Sequence, residues 1–166
     1  MPLERFSAAW REAYVREATA DERRGDSSEC VFCGLLASGV AEESGIFVMT
    51  RTSFGILNAY PYGSGHVLVL PRRHIGDLAD LDEDESVDFF ALVRRVAAAL
   101  QRAYQPDGMN IGFNLGRAAG AGIPQHLHGH LLPRWNGDTN FMTSLGETRV
   151  LPESLGQTWQ KIHAEI

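Results

Sequence analysis

Three of the six histidines in this 166-residue chain stand at alternate positions, His126-Leu-His-Gly-His130, in a stretch that runs on into Leu-Leu-Pro133. A strand from His126 to Leu132 sends successive side chains to opposite faces, so the spacing predicts three imidazoles on one surface. Rings that can become cations are costly to place on a buried face without a task. Two tasks are available. A single metal ion held by all three is disfavoured, because Cα atoms two apart on a strand are about 6–7 Å apart whereas zinc–nitrogen bonds are about 2.0–2.1 Å. The alternative divides the labour: one ring attacks while its neighbours orient it or bind elsewhere. A neutral imidazole is a good nucleophile toward phosphorus, and the phosphoramidate it forms can be cleaved in a second step. That chemistry is nucleotidyl transfer or hydrolysis.

The two cysteines, Cys30 and Cys33, are spaced Cys-Val-Phe-Cys. The N-terminus shows no basic-then-apolar leader, so a cytoplasmic protein is expected, and in a reducing compartment this pair reads as metal or redox chemistry. Two thiolates supply half a zinc site, and the other half must come from among His66, His74, His126, His128, His130 and His163. The net charge of -6, with 21 acids against 15 bases and Lys161 the sole lysine, argues against a nucleic-acid partner. With no apolar run of about 18 residues, no membrane span is expected either.

The elements that must position these groups follow from periodicity. Leu3, Phe6, Trp10, Tyr14 and Val15 predict an amphipathic helix over Pro2 to Thr19, followed by a polar loop ending at the cysteines. Gly45 to Arg51 and Phe54 to Tyr60 predict a hairpin, and Val67 to Leu70 a central strand. Asp82 with Glu85 forms a capping box ahead of Phe89, Val93, Val96, Leu100 and Tyr104, which predicts one long helix. Ile111 to Leu115 and His126 to Leu132 give a fourth and a fifth strand, Gly116 to Gly122 a flexible connection, and Leu151 to Ile166 a terminal helix. Strands grouped around one helix predict an α+β fold with an antiparallel five-stranded sheet.

His126-Leu-His-Gly-His-Leu-Leu132, the upstream Gly65-His-Val-Leu-Val-Leu-Pro71 and the asparagine of Leu57-Asn58-Ala59 occur in an order that resembles the histidine-triad (HIT) family of nucleotide hydrolases and transferases. Leu57-Asn-Ala-Tyr-Pro-Tyr62, Asn114-Leu-Gly116 and Pro133-Arg-Trp-Asn-Gly-Asp-Thr-Asn-Phe141 are most similar to its bacterial diadenosine tetraphosphate phosphorylase branch. The resemblance implies a single domain over 1–166, with an N-terminal helix and loop over 1–29, a HIT core over 30–141 and a C-terminal extension over 142–166. It implies that His128 is the nucleophile on the α-phosphate of an adenine nucleotide and that His130 holds the phosphate or assists the leaving group. Asn58 matches the ribose-binding position, Asn114 with Gly122 matches positions that hold the polyphosphate, and Gln125 is counted with the nucleotide-binding residues although strand alternation sends it to the face opposite the histidines. Where many members carry a hydroxyl just before the triad, Gly122-Ile-Pro-Gln125 has none.

The resemblance also implies one zinc on Cys30, Cys33, His74 and His126, a Cys₂His₂ set that leaves His128 free and plays a structural role. It implies a homodimer formed through the long helix and a continued sheet. The acceptor is left open: phosphate makes diadenosine tetraphosphate phosphorolysis to ADP and ATP, whereas water makes a hydrolase of dinucleoside polyphosphates, phosphoramidates or adenylates. A zinc-stabilised binding module without turnover is the non-enzymatic alternative. His66 is expected to be structural and His163 a surface residue, with Trp10, Tyr60, Tyr62 and Trp135 in packing and Arg117 or Arg134 near phosphate.

Overall fold

A computed structural model of the chain describes residues 30–37, 39–139 and 153–166. The helix expected over Pro2 to Thr19, with Trp10, lies outside them. Five antiparallel strands, β1 (Ile46–Met49), β2 (Ser53–Leu57), β3 (Val67–Pro71), β4 (Gly108–Phe113) and β5 (Gly129–Arg134), lie in the order β1-β2-β3-β5-β4. Three α-helices accompany them: α1 (Val31–Leu36), α2 (Glu83–Tyr104) and α3 (Leu155–His163). The α+β expectation holds.

Each sheet face buries a different cluster. On one, Phe47, Val48, Leu57, Val67, Val69 and Leu131 pack against Phe89, Leu92, Val96 and Leu100 of α2 and Ile162 of α3. On the other, Ile46, Phe54, Ile56, Leu68 and Leu70 pack against Phe32 of α1. This second face carries the histidines. The long helix starts at the expected capping box: Glu85 N–H donates to Asp82 Oδ1 at 2.8 Å and Asp82 N–H to Glu85 Oε2 at 3.1 Å. Arg73 adds a fork onto Glu85, whose carboxyl is held down at about 2 by that pairing despite burial.

The two edges of the sheet differ. Along β1, Trp159 Nε1–H donates to the Ile46 carbonyl at 3.1 Å and His163 Nδ1 bonds the Phe47 carbonyl at 3.1 Å. His163 is exposed, as expected of a surface residue, yet it stacks on Trp159 and covers strand backbone. Among the described residues β4 pairs only with β5, and no further strand lies on its outer edge.

The structure corrects the bounds of the expected strands, the second ending at Leu57 and not at Tyr60. The fourth runs over Gly108–Phe113, not Ile111 to Leu115, and the fifth opens at Gly129, not His126. His126 and His128 therefore sit in the irregular lead-in to β5. That lead-in is stitched to the loop after β3 by Leu127 N–H on the Ile75 carbonyl, and by the close crossing of Gly76 over Pro124. A Cβ on Gly76 would stand 2.8 Å from the Pro124 carbonyl oxygen, so backbone would have to move. Gly76→Ala is expected to cost roughly 1–3 kcal/mol, read as a shift of the urea midpoint at constant slope.

Candidate functional site

The three imidazoles share one face, as expected, although only His130 gets there by strand alternation. His130 is paired across the ladder with Leu68, whose side chain belongs to the α1-side cluster, and cross-strand partners share a face. His126 reaches that face from the lead-in and is fully buried between Phe32, Phe54 and His74, with ring centroids 5.5, 6.5 and 5.2 Å away. His128 is 7% exposed, its ring 5.1 Å from that of His130 and 5.7 Å from Phe32.

Obligate partners fix the ring protons. His128 Nδ1 lies 2.7 Å from the His126 carbonyl oxygen, which can only accept, so Nδ1 carries the proton and Nε2 keeps its lone pair. His126 Nε2 lies 2.9 Å from the Pro71 carbonyl, so its proton is on Nε2 and Nδ1 is a free donor atom. At the other end, Tyr62 N–H donates to His66 Nδ1 at 2.9 Å, which puts the His66 proton on Nε2, and that N–H meets His130 Nδ1 at 3.0 Å. The proton of neutral His130 is then on Nε2, a buried atom without a protein partner among the described residues. Burial pushes the His126 and His128 rings below the ordinary imidazole range. Burial, reinforced by nearby His128, pushes His130 down to about 4. At neutral pH the face thus presents a lone pair on one ring beside an N–H on the next.

His66 was expected to be merely structural and is part of this chain of contacts. It is 1% exposed, and its ring lies 5.2 Å from His130 and 4.7 Å from Tyr62. The available signal was its place in the Gly-His-apolar strand facing the triad strand. Tyr62, assigned to packing, stacks at 14° on His130, while Tyr60 is 85% exposed and packs in no core. Asn58 Nδ2 lies 3.3 Å from His66 Nδ1, and its Oδ1 accepts Tyr60 N–H at 3.0 Å, so this side chain braces the β2–β3 turn beside His66. Asn114 follows β4 and is half-buried, whereas Gly122 and Gln125 are exposed on the loop approaching His126. Arg134 forks onto Asp138 at 2.5 and 2.7 Å and bonds Asn110, so it serves the end of β5. Trp135 packs edge-on against Tyr104.

Cys30, Cys33, His74 and His126 come together, with their ligand atoms all within 4.8 Å of one another. Cys30 Sγ is 3.3 Å from His126 Nδ1, and Cys33 Sγ is 3.4 Å from His74 Nδ1 and 3.6 Å from His126 Nδ1. A tetrahedral zinc with bonds of about 2.3 Å to sulfur and 2.05 Å to nitrogen separates such atoms by about 3.5 Å. The donor set therefore fits a metal ion in chemistry and spacing, and the tautomer of His126 already offers Nδ1. Burial and the adjacent Cys30 thiol push the Cys33 thiol up, an opposition that a coordinated cation reverses.

The comparisons with known proteins agree with this geometry. The HIT domain family model matches residues 41–137. The "AP-4-A phosphorylase" of Mycobacterium tuberculosis is 32% identical over 164 residues, covering 98% of this chain and 84% of that protein. The "Bis(5'-nucleosyl)-tetraphosphatase [asymmetrical]" of Schizosaccharomyces pombe is 37% identical over 95 residues, which span 57% of this chain and 52% of the relative. Among solved structures, a zinc-bound histidine triad family protein from Mycobacterium smegmatis superposes with a TM-score of 0.65 at 31% identity, covering 85% of this chain and 94% of that one. With a family model over more than half of its length and a relative matched along nearly all of it, the chain belongs to the HIT-domain family.

Proposed function

We propose that this protein is a nucleotidyl-transferring enzyme that cleaves dinucleoside polyphosphates, with diadenosine tetraphosphate as favoured substrate, through a covalent intermediate on His128. One observation carries the reading: the hydrogen bond from His128 Nδ1 to the His126 carbonyl leaves Nε2 as a buried nucleophilic lone pair, 5.1 Å ring to ring from the unpaired N–H of His130. His128 Nε2 attacks the α-phosphorus, the bond to the bridging oxygen breaks, and ATP leaves with its developing charge met by His130 Nε2–H. Phosphate then attacks the adenylyl-histidine, releasing ADP and restoring His128. Asn58 is assigned to the ribose hydroxyls, and Asn114, Gly122 and Gln125 to the polyphosphate. The likeness to a protein named AP-4-A phosphorylase supports phosphate over water as acceptor.

The test is a product assay with and without phosphate. ADP plus ATP formed only with phosphate supports the proposal; AMP plus ATP in its absence makes the enzyme a hydrolase; no product removes the catalytic reading. His66 positions His130 in this scheme. His66→Ala removes the donor that keeps the His130 proton on Nε2 and is expected to lower kcat about 10–100-fold with little change in KM, and His66→Gln to recover part of the loss. Because His130 titrates near 4 when folded and near 6.5 when unfolded, the unfolded chain binds the extra proton between those values. Stability is therefore expected to be level above pH 6.5 and to fall as pH drops toward 4, measured as the melting temperature across that range.

One zinc on Cys30, Cys33, His74 and His126 is assigned a structural role, supplying a rigid tie between α1 and the two loops around β3 and β5. A homodimer is supported by the outer edge of β4, which no strand among the described residues covers, and by the exposed apolar residues Ile111 and Leu115 on and after it and Phe90 beside it. Phe90 continues that surface across Phe113, at 6.3 Å between rings. No helix among the described residues is long and apolar enough to cross a membrane. The cytoplasm is proposed as the protein's site of action.

A further inference from the structure

His126 links two parts of the molecule through three different atoms. Its Nδ1 faces the sulfurs of Cys30 and Cys33 at 3.3 and 3.6 Å, its Nε2–H is held by Pro71 at 2.9 Å, and its carbonyl accepts the His128 proton at 2.7 Å. Phe32 forms a second link. It stands between the two cysteines in sequence, and its ring lies 5.5 Å from His126 and 5.7 Å from His128. Phe32 and Cys33 lie on the six-residue helix α1, and Cys30 is its N-cap with no side-chain capping bond. Both thiols are free and only half-buried. So short a helix has little to hold its orientation except the groups it packs against.

We propose that Cys30 and Cys33 form an oxidant-sensitive control on His128: closing them into a disulfide withdraws both sulfurs from His126 and, through the His126 carbonyl and the Phe32 ring, disengages the nucleophile. The inference rests on the assignment of His128 as nucleophile. The oxidant is a peroxide. One thiolate attacks the O–O bond, giving a sulfenic acid and one hydroxide; the second thiolate displaces the other hydroxide, forming the S–S bond. Two electrons pass from sulfur to oxygen, and two protons complete two waters. A disulfide of about 2.05 Å cannot span the separation that suits a tetrahedral cation, and its sulfurs no longer carry thiolate charge. Cys30 and Cys33 would then no longer hold a metal ion; α1 turns to bring the sulfurs together, and the Phe32 ring moves with it.

The experiment treats the reduced, zinc-loaded full chain with hydrogen peroxide, then with dithiothreitol and zinc. Oxidation should consume two thiols, release one equivalent of zinc to a chelating dye, and change the ¹⁵N resonances of His128 from a single Nδ1-protonated tautomer to a mixture. Formation of adenylyl-histidine should fall at least about tenfold. Dithiothreitol with zinc should restore all four signals, which separates thiol from methionine oxidation. Unchanged His128 resonances and undiminished adenylylation in the disulfide form overturn the proposal, as does global unfolding seen by circular dichroism. If the reduced protein forms no adenylyl-histidine at all, the proposed function fails, and the His128 resonances still decide whether the thiols govern that ring.

Discussion

Replacing His128 with asparagine should lower nucleotidyl transfer by about 10⁴-fold or more while leaving metal content and fold in place. Asparagine is the informative substitution, because its amide N–H can still donate to the His126 carbonyl that His128 Nδ1 now satisfies at 2.7 Å. Alanine would leave that carbonyl unpaired in a site 7% exposed, mixing about 1–3 kcal/mol of instability with the chemical loss. The measurement is single-turnover formation of the adenylylated chain, which should be absent in His128→Asn. Zinc retained alongside lost turnover separates the nucleophile from the metal centre. If His128→Asn turned over normally, the nucleophile would have to be sought elsewhere.

The second large effect concerns the proposed zinc site. His74 is exposed, and its Nδ1 meets Cys33 Sγ at 3.4 Å, so His74→Ala removes one ligand without opening a cavity in either core cluster. Loss of one of four ligands is expected to weaken zinc binding by about 100-fold, and at saturating metal that removes about 2.7 kcal/mol of stabilisation. The melting temperature of the zinc-loaded variant should fall accordingly. After chelation, the variant and the unaltered chain should melt alike, since the missing ligand then holds nothing. Equal melting of the two zinc-loaded proteins would remove the structural role assigned to this centre.

Much of the architecture follows from periodicity and capping. The helix from Glu83 to Tyr104 was legible because Asp82 and Glu85 announce its start and because its apolar residues recur every three or four positions. The five strands and their one-helix partnership were legible for similar reasons. The start of β5 was not. Alternating histidines imitate a strand, but Leu127 N–H bonds the Ile75 carbonyl in the loop after β3, and that tertiary contact holds the lead-in off the sheet until Gly129. The contacts of His66 were not legible for a related reason. Its partners are His130, 64 positions away, and the backbone N–H of Tyr62, neither of which is visible in local composition. The meeting of His74 with His126 likewise depends on two loops crossing at Gly76 and Pro124.

The unequal edges of the sheet bear on how copies of this chain can assemble. Side chains from α3 occupy the carbonyls of Ile46 and Phe47, so β1 offers an incoming strand few free backbone groups, while no strand among the described residues pairs with the outer edge of β4. A protein with two sticky edges can add copies without end, as in a fibre. One with a single such edge has only itself as a matching surface: two copies meeting β4 to β4 about a twofold axis use up every open group and stop. Trp159 and His163 thus cover backbone of β1, at the opposite side of the sheet from β4.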